Sequence, residues 1–177
     1  MIVRRERPAD HRAVHTLHLA AFAVDPVTGV HREPSDVTEA PLVDELREDA
    51  GFLPQLSLVA IDGDAAVGHV IATRGRLDPL GFPALGLGPL GVRPDVQGRG
   101  IGTVLVHALL AVAEACDERV VALLGAPRYY RRFGFVPATE LGITPPDLTW
   151  GEYFQARRLT GPPLQGTFRY ADPFARR

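Results

Sequence analysis

The sequence predicts an α/β fold whose sheet contains two parallel strands joined by a crossover helix. Residues 56–61 and 65–73 alternate apolar and polar side chains on either side of an Asp-Gly-Asp turn, a pattern typical of a β-hairpin. A glycine cluster then separates an apolar strand that ends near Val92 from an apolar run with helical spacing that begins at Gly100. Residues 120–124 are continuously apolar, as in a strand buried on both faces. Strand, helix and strand in this order form a right-handed unit with parallel strands.

The composition is that of one soluble globular domain covering residues 1–177, with 46% hydrophobic and 23% charged residues. A net charge of -2 gives no electrostatic basis for binding nucleic acid or an anionic membrane, so neither is expected as a partner. The single cysteine, Cys116, excludes an intrachain disulfide and favours a reducing compartment. No stretch approaches the roughly 18 apolar residues of a membrane span, and the first residues lack the apolar segment of a secretory leader. A cytoplasmic protein is therefore expected.

The chain contains no lysine, and all 19 of its lysine-plus-arginine residues are arginine. Schiff-base chemistry, including that of pyridoxal phosphate enzymes, is excluded on this ground. A P-loop nucleotidase is excluded as well, since its motif needs a lysine after the last glycine to reach the terminal phosphates.

Two helices are predicted in the first 51 residues. After a short strand at residues 2–5, Pro8 begins a helix that extends to about Phe22. A loop over residues 25–36 leads to a second helix, which is capped by Ser35 or Thr38 and ends near residue 51.

Three histidines lie on one side of the first predicted helix: His11, His15 and His18. Histidines at this spacing are able to hold a metal ion. No carboxylate or cysteine is spaced to complete the ligand set, so solvated histidines are favoured and no metal is expected.

A turn-rich connection is predicted over residues 74–83, followed by a strand at residues 84–92. The apolar positions of this strand are 85 and 87, then 90 and 92, so the two-residue period slips across Gly88-Pro89. Such a slip, with glycine and proline inside a strand, indicates a β-bulge or a splay away from the neighbouring strand. The amides of Leu90 and Val92 then become available to a ligand that lies along the strand.

The glycine turn from Gln97 to Thr103 predicts an anion site. The first amides of a helix have no intrahelical partner and carry partial positive charge, and glycines let a phosphate approach the main chain. A dinucleotide-binding turn needs the spacing G-x-G-x-x-G and an acidic residue on the next strand. The spacing here is G-x-G-x-G, and residues 120–124 contain no acid. We therefore predict a phosphate, in particular a pyrophosphate, on residues 97–103.

The turn resembles the acyl-CoA pyrophosphate loop of the GNAT superfamily of N-acetyltransferases, whose signature is Q/R-x-x-G-x-G/A between a strand and a helix. Gln97-Gly98-Arg99-Gly100-Ile101-Gly102 matches this signature at every constrained position. A second match is Tyr-x-x-x-Gly-Phe, with Tyr130 as its tyrosine, within a G-x-P-x-Y-Y-x-R-F-G-F segment similar to one branch of the superfamily. The resemblance is strong over about residues 84–137. One departure is Gly125, because many relatives have asparagine just after the second parallel strand.

The resemblance implies the GNAT acyl-CoA N-acyltransferase fold, a mixed and mostly antiparallel twisted sheet. Its fourth and fifth strands are parallel and splayed around the crossover helix. Residues 84–137 would form the CoA-binding core, and the helices at about 8–50 would form one wall of the acceptor site. Residues 138–177 would supply a strand near 152–159 and an aromatic tail. Trp150, Tyr153 and Phe154 are expected to pack on the sheet rather than line a pocket.

The resemblance also implies acetyl-CoA as the cosubstrate, no metal, and a set of contacts. The expected CoA contacts are Leu90, Gly91, Val92, Gln97, Gly98, Arg99, Gly100, Ile101, Gly102, Thr103 and Tyr130. Tyr130 is also the expected catalytic acid, because a phenol with a pKa near 10 is matched to an alkyl thiolate leaving group.

The general base is less determined, since many relatives draw a carboxylate from the strand before the loop and residues 84–92 contain none. Glu39 ranks first as the catalytic base, ahead of His69 and Asp95. A neutral histidine packed on the sheet is favoured over a base at position 69. Two further residues are candidates for touching the acceptor: His31 and Glu33.

The expected function is transfer of an acetyl group from acetyl-CoA to a primary amine of a small molecule, directly within a ternary complex. Two alternatives remain open at this point, a protein acetyltransferase and a non-catalytic acyl-CoA-binding module. The identity of the acceptor, the length of the acyl group and the formation of a homodimer are also left open.

Overall fold

The computed structural model describes residues 1–25 and 28–176; Pro26 and Val27, in the predicted 25–36 loop, lie outside that range. The strands are β1 Ile2–Arg5, β2 Ser57–Asp62, β3 Ala65–Asp78, β4 Phe82–Val92, β5 Val120–Leu124, β6 Val136–Pro137, β7 Ile143–Thr144, β8 Phe154–Arg158 and β9 Gly166–Arg169. The helices are α1 His11–Ala21, α2 Glu39–Glu48, α3 Ile101–Ala115 and α4 Pro127–Tyr130.

One mixed sheet contains these strands in the order β1-β2-β3-β4-β5-β8-β6, with β9 pairing to β3 and to β7. The pairs β4–β5 and β7–β9 are parallel, and the other pairs are antiparallel. The predicted mixed and mostly antiparallel sheet, with a crossover helix between the parallel strands β4 and β5, is thereby confirmed.

The predicted irregularity of β4 is a bulge followed by a splay. Val70 of β3 pairs with Leu90, but Ala72 pairs with Leu87, so β4 has one more residue than β3 across Gly88-Pro89. In the described chain β4 pairs with β5 only at Leu85 and Gly86. Beyond Gly86 the two strands diverge, which leaves a gap in the middle of the sheet.

The two faces of the sheet are covered by different helices. Alternate residues of β2 and β3 face α3 on one side, where Leu105 and Leu109 are fully buried. The intervening residues face α1 and α2 on the other side, where Val14 and Leu46 are fully buried. This arrangement places the N-terminus of α3 and the C-terminus of α1 on opposite faces of the splayed region.

The turn-rich connection predicted at residues 74–83 is wrong, because β3 continues to Asp78 and β4 begins at Phe82. Arginines and a glycine interrupt the apolar alternation there, which makes the segment look like a loop. Gly75 is required by packing instead, since a Cβ atom would lie 2.6 Å from the carbonyl oxygen of Arg169 in the neighbouring β9. The long β3 therefore supports β4 on one edge and the last strand of the chain on the other.

Over residues 1–25 and 28–176, no helix combines the length and the apolar character needed to cross a bilayer.

Candidate active site

The loop before α3 has the backbone of an anion site. Gly98 and Gly100 have φ values of +76° and +83°, a region that side chains disfavour, and no atom would contact a Cβ at either position. Gly100 is the N-cap of α3, so the amides that follow it have no partner within the helix. The Gln97 side chain donates a hydrogen bond from Nε2 to the Val92 carbonyl at 3.0 Å, which ties the loop to the end of β4.

A cavity of about 360 Å³, here called the loop cavity, lies against this turn. Its lining contains Leu90, Val92 and all the predicted loop residues except Arg99. Gly91 is not in the lining either, because its Cα faces the opposite side of the sheet, toward His18. The structure thus brings together most of the residues expected to hold a pyrophosphate.

Two further residues of the loop cavity escaped the sequence analysis, Tyr129 and Arg132. The Arg132 guanidinium lies 4.9 Å from the centre of the Tyr129 ring, and its Nε donates to the Tyr129 carbonyl at 3.0 Å. A Cβ at Gly102 would lie 2.7 Å from the Tyr129 hydroxyl, so the glycine leaves room for this phenol. The spacing of tyrosine and arginine, three residues apart on a helical turn, was the available signal.

A second and larger space of about 730 Å³, here called the large cavity, lies at the splay. Leu90 lines both cavities, so they meet at β4. Its walls are mostly apolar and come from α1 and α2 (Phe22, Leu42), from α4 (Tyr130), from Trp150 and from the C-terminal segment (Tyr170, Phe174). The charged residues at this cavity are Glu39, Arg76, Asp147, Arg169 and Asp172.

Tyr130 contributes its ring to the large cavity and is packed by other aromatic rings, with centroids 4.9 Å from Tyr129 and 5.9 Å from Phe135. Burial, and then the neighbouring Tyr129, raises the pKa of the Tyr130 phenol well above its ordinary value. A Cβ at Gly125 would lie only 2.4 Å from Cε2 of Tyr130. The absence of asparagine at position 125 therefore has a steric reason, because the tyrosine ring occupies that space.

Glu39 is the first residue of α2 and lines the large cavity, as expected for a residue of the acceptor side. Its carboxylate accepts a hydrogen bond from Nη1 of Arg32 at 3.3 Å, and Arg32 also pairs with Asp25. The best-ranked base is thus held in an ion pair.

The other acceptor candidates are placed elsewhere. His31 and Glu33 are exposed and outside the lining of the large cavity. Asp95 is bound to Arg93 on the surface, and His69 is fully buried in the sheet. Of the three aromatic residues expected to pack on the sheet, only Trp150 lines the large cavity; Tyr153 is exposed and Phe154 is buried in β8.

The C-terminal segment closes the large cavity, which the sequence analysis did not foresee. Tyr170 follows β9 and packs on β4, where a Cβ at Gly86 would lie 2.6 Å from its ring. Burial, and then Tyr130, raises the pKa of the Tyr170 phenol. Phe174 lies 4.6 Å from the Tyr170 ring, within a helical turn at Asp172–Arg176 that contacts α2.

The three histidines of the first predicted helix do not come together in the structure. His15 binds Asp44 at 2.6 Å. The expectation of solvated histidines is wrong for His18, which is fully buried because it faces the sheet beside Gly91. In the portion of the chain described here, no group of histidine, cysteine and carboxylate side chains is arranged to hold a metal ion.

Fold and site together define a class of protein. A helix terminus with unpartnered amides and a mostly apolar chamber both border Leu90 of β4, beyond the point where β4 and β5 stop pairing. This geometry suits an extended ligand with a phosphate-bearing end and a reactive end.

The comparison with known families names the class. Residues 27–135 match the model of the acetyltransferase (GNAT) family. The chain belongs to this family and is an acyltransferase.

Similar proteins extend over almost the whole chain. The uncharacterized N-acetyltransferase YjhQ of Escherichia coli K12 is 37% identical over 146 residues, which are 76% of this chain and 79% of the relative. The uncharacterized N-acetyltransferase YhbS of the same strain is 31% identical over 167 residues, with 94% and 92% of the two chains covered.

Two solved structures share the fold. The GNAT family N-acetyltransferase YhbS of Escherichia coli in complex with CoA has a TM-score of 0.83 and 27% identity, covering 98% of this chain and 91% of that one. A GNAT family acetyltransferase of Brucella melitensis in complex with acetyl-CoA has a TM-score of 0.77 and 32% identity, covering 98% and 97%.

Proposed function

We propose that this protein transfers an acetyl group from acetyl-CoA to a primary amine of a small molecule, directly within a ternary complex. The observation that carries the proposal is the meeting of the two cavities at Leu90, on the splayed part of β4. The cavity on one side of Leu90 suits a pyrophosphate, and the cavity on the other side provides a chamber for an amine.

The pyrophosphate is assigned to the main-chain amides of residues 97–103. Unpaired amides at a helix N-terminus attract phosphate oxygens, and Arg132 adds a positive charge at the loop cavity. The likeness to the CoA-bound and acetyl-CoA-bound structures of the two relatives supports this assignment.

The pantetheine arm is assigned to β4 beyond Gly86, where β5 no longer pairs with it. An extended amide-bearing arm pairs with a free strand edge as an additional strand would. This path brings the thioester to the side of Leu90 that faces the large cavity and Tyr130.

The chemical step then requires a polarised carbonyl, a stabilised thiolate and a deprotonated amine. The amide of Leu90 or Val92 polarises the thioester carbonyl as negative charge develops on its oxygen. Tyr130 donates a hydrogen bond to the departing sulfur. Its raised pKa keeps the phenol protonated, which favours stabilisation of the thiolate over complete proton transfer. Holding both reactants in one cleft supplies much of the remaining acceleration.

A small amine is favoured over a protein substrate by the walls of the large cavity. Helical segments at Phe22 and Leu42 and the C-terminal residues Tyr170 and Phe174 surround it. A volume of about 730 Å³ bounded in this way is in the range of small-molecule sites.

The test is thiol release from acetyl-CoA over a panel of small primary amines, with acetyl-CoA binding measured by calorimetry. We expect saturable binding and amine-dependent release of CoA. Binding without release for any amine would favour the non-catalytic module. Acetylation of protein targets in mass spectrometry, without release for small amines, would favour the protein acetyltransferase.

A further inference from the structure

A chain of buried polar side chains connects β1 to the middle of the sheet. Ser57 Oγ donates to Oε2 of Glu6 at 2.6 Å, and Ser57 Oγ lies 3.0 Å from Nε2 of His69. On the other side of its ring, His69 Nδ1 lies 2.9 Å from Nε2 of His18. None of the four residues is more than 8% exposed, and the two histidines are fully buried. The chain, here called the Glu6–His18 relay, is therefore isolated from bulk solvent.

The hydrogen-bond donors along the relay follow from the carboxylate. The only proton of Ser57 Oγ is used toward Glu6, so Nε2–H of His69 is the donor that faces both Ser57 and the same carboxylate, whose Oε2 lies 3.5 Å from Nε2. A neutral His69 then offers Nδ1 as an acceptor, and Nε2–H of His18 donates to it. The remaining atom, Nδ1 of His18, carries a lone pair. It is buried, and no atom of the described residues forms a hydrogen bond with it.

This lone pair lies beside the proposed site. Nδ1 of His18 would be 2.8 Å from a Cβ at Gly91, so it lies against the bare main chain of β4 next to Leu90. The His18 ring stacks on Phe22, whose centroid is 5.8 Å away, and Phe22 lines the large cavity. A buried nitrogen that lacks a hydrogen-bond partner costs free energy, which is unusual for a histidine with a purely structural role. Here the nitrogen lies beside Gly91, the neighbour of Leu90 in the wall of the large cavity.

We propose that the Glu6–His18 relay withdraws the proton that the acceptor amine loses. His18 Nδ1 receives it through a water molecule that enters from the large cavity beside Phe22. This inference rests on the proposed function. His69, Ser57 and Glu6 act as positioning residues, because they fix the tautomer of His18 and stabilise the positive charge it acquires.

The protons balance along the relay. The water takes one proton from the acceptor nitrogen, made acidic by its new bond to the thioester carbon, and gives one to Nδ1 of His18, so the nitrogen becomes neutral and His18 becomes an imidazolium. Transfer of Nε2–H to Nδ1 of His69 moves the charge one ring closer to the Glu6 carboxylate. No carbon bond forms or breaks in these steps, and the reverse transfers return the proton to water after the product leaves.

The surroundings keep His18 neutral before the reaction. Burial lowers the pKa of His18 well below 6.5, and His69, Arg47 and His15 add to this effect, whereas Glu6 opposes it. Burial lowers the pKa of His69 too, with Glu6 opposing and with Arg47 and His11 adding. A weak base suffices, because the nitrogen becomes strongly acidic as its bond to the thioester carbon forms.

The Glu6 carboxylate stays ionised at the other end. Burial alone would raise its pKa, but hydrogen bonds from His69, Arg47 and Ser57 outweigh burial and lower it. Arg47 pairs with Oε1 at 2.6 Å, and its own side chain is only 4% exposed.

The test compares the pH dependence of kcat, at saturating acetyl-CoA, in His69→Gln, His18→Gln and the wild type. The wild-type rate should fall as the pH decreases through the pKa of His18, with the midpoint below 6.5. Both variants should lose this acidic limb and about 100-fold in kcat at neutral pH, with acetyl-CoA affinity nearly unchanged. His15→Gln, on the exposed side of the same helix, is the matched control and should keep the wild-type rate at neutral pH and retain the acidic limb, whose midpoint rises slightly because His15 lowers the pKa of His18.

Nitrogen NMR of the wild type provides a second measurement that needs no variant. We expect His18 protonated on Nε2 and bare on Nδ1. Either a protonated Nδ1 or a variant with the full wild-type rate and profile would overturn the relay while leaving the proposed function intact. A wild type that releases no thiol would overturn the proposed function and the relay together. If His69→Gln does not fold, the pH profile of His18→Gln and the tautomer of His18 in the wild type still test the relay.

Discussion

At the scale of single residues, Tyr130 is the side chain on which the proposed chemistry depends most. Replacement by phenylalanine keeps the ring contacts with Tyr129 and Phe135 but removes the hydroxyl. We expect Tyr130→Phe to lower kcat by about 100-fold, because the thiolate loses its hydrogen-bond donor. Steady-state kinetics with the best amine of the panel measure this.

Acetyl-CoA affinity is the control for this variant, since the proposed pyrophosphate site lies in the loop cavity, which Tyr130 does not line. An unchanged kcat in Tyr130→Phe would remove the tyrosine from the mechanism.

Gly125 offers a separate prediction about the same ring. A Cβ there would lie 2.4 Å from Cε2 of Tyr130, which is too close for real atoms. We expect Gly125→Ala to lower both the melting temperature and kcat, because the tyrosine must move. In a Tyr130→Leu background the alanine should cost less stability, since the clashing ring is gone. Equal costs in the two backgrounds, measured by thermal unfolding, would contradict the steric explanation.

At the scale of elements, the loop before α3 is tested most sharply by charge. A Cβ at Gly100 meets no other atom, so a side chain there alters backbone conformation and charge but not packing. We expect Gly100→Asp to weaken acetyl-CoA binding by at least about 100-fold, because a carboxylate near the phosphates costs several kcal/mol.

Gly100→Asn is the matched control for that loop variant. Asparagine has nearly the same shape and tolerates the positive φ of +83° at this position, but it carries no charge. Calorimetry should show a much smaller loss of affinity for Gly100→Asn. A similar loss in both variants would attribute the effect to the backbone and not to an anion site.

Several elements were readable from the sequence because their signals are local. Residues 120–124 form β5 as predicted, since a continuous apolar run leaves little choice. The helix predicted to begin at Gly100 is α3 at Ile101–Ala115, and the bulge of β4 follows from the slip in its apolar period. The glycine loop before α3 was found for the same reason, because glycine spacing and a helix start are adjacent in the chain.

What could not be predicted depends on contacts between distant residues. The second half of β3 pairs with β9, which comes near the end of the chain, and Gly75 packs against that strand. Its arginines and glycine interrupt the apolar pattern, so the sequence resembles that of a loop. His18 and His69 are 51 positions apart, so neither their hydrogen bond nor the unpartnered Nδ1 is visible in a pattern. Glu39 lines the large cavity, but its ion pair with Arg32 could be seen only in the fold.

At the scale of the whole molecule, the large cavity is assembled from both ends of the described chain. α1 and α2 form one side, and the segment with Tyr170 and Phe174 forms another. The two sides also touch directly, because the turn at Asp172–Arg176 contacts α2. The described residues of the C-terminal segment line the large cavity but not the loop cavity.

This separation makes a prediction about specificity. We expect Phe174→Ala to raise the KM for the amine by up to about 10-fold, because an aromatic wall of the chamber is lost. Acetyl-CoA affinity should remain at the wild-type value, since Phe174 does not line the loop cavity. Equal losses for both substrates would show that the C-terminal segment supports the fold as a whole.

The position of the closing segment in the chain also affects how the protein matures during synthesis. Residues 97–103 leave the ribosome about 70 positions before Tyr170 and Phe174 do. A nascent chain that has emerged only as far as this loop lacks one side of the large cavity, because Tyr170 and Phe174 line it. The chamber proposed for the acceptor is therefore completed only when the last part of the chain has been made.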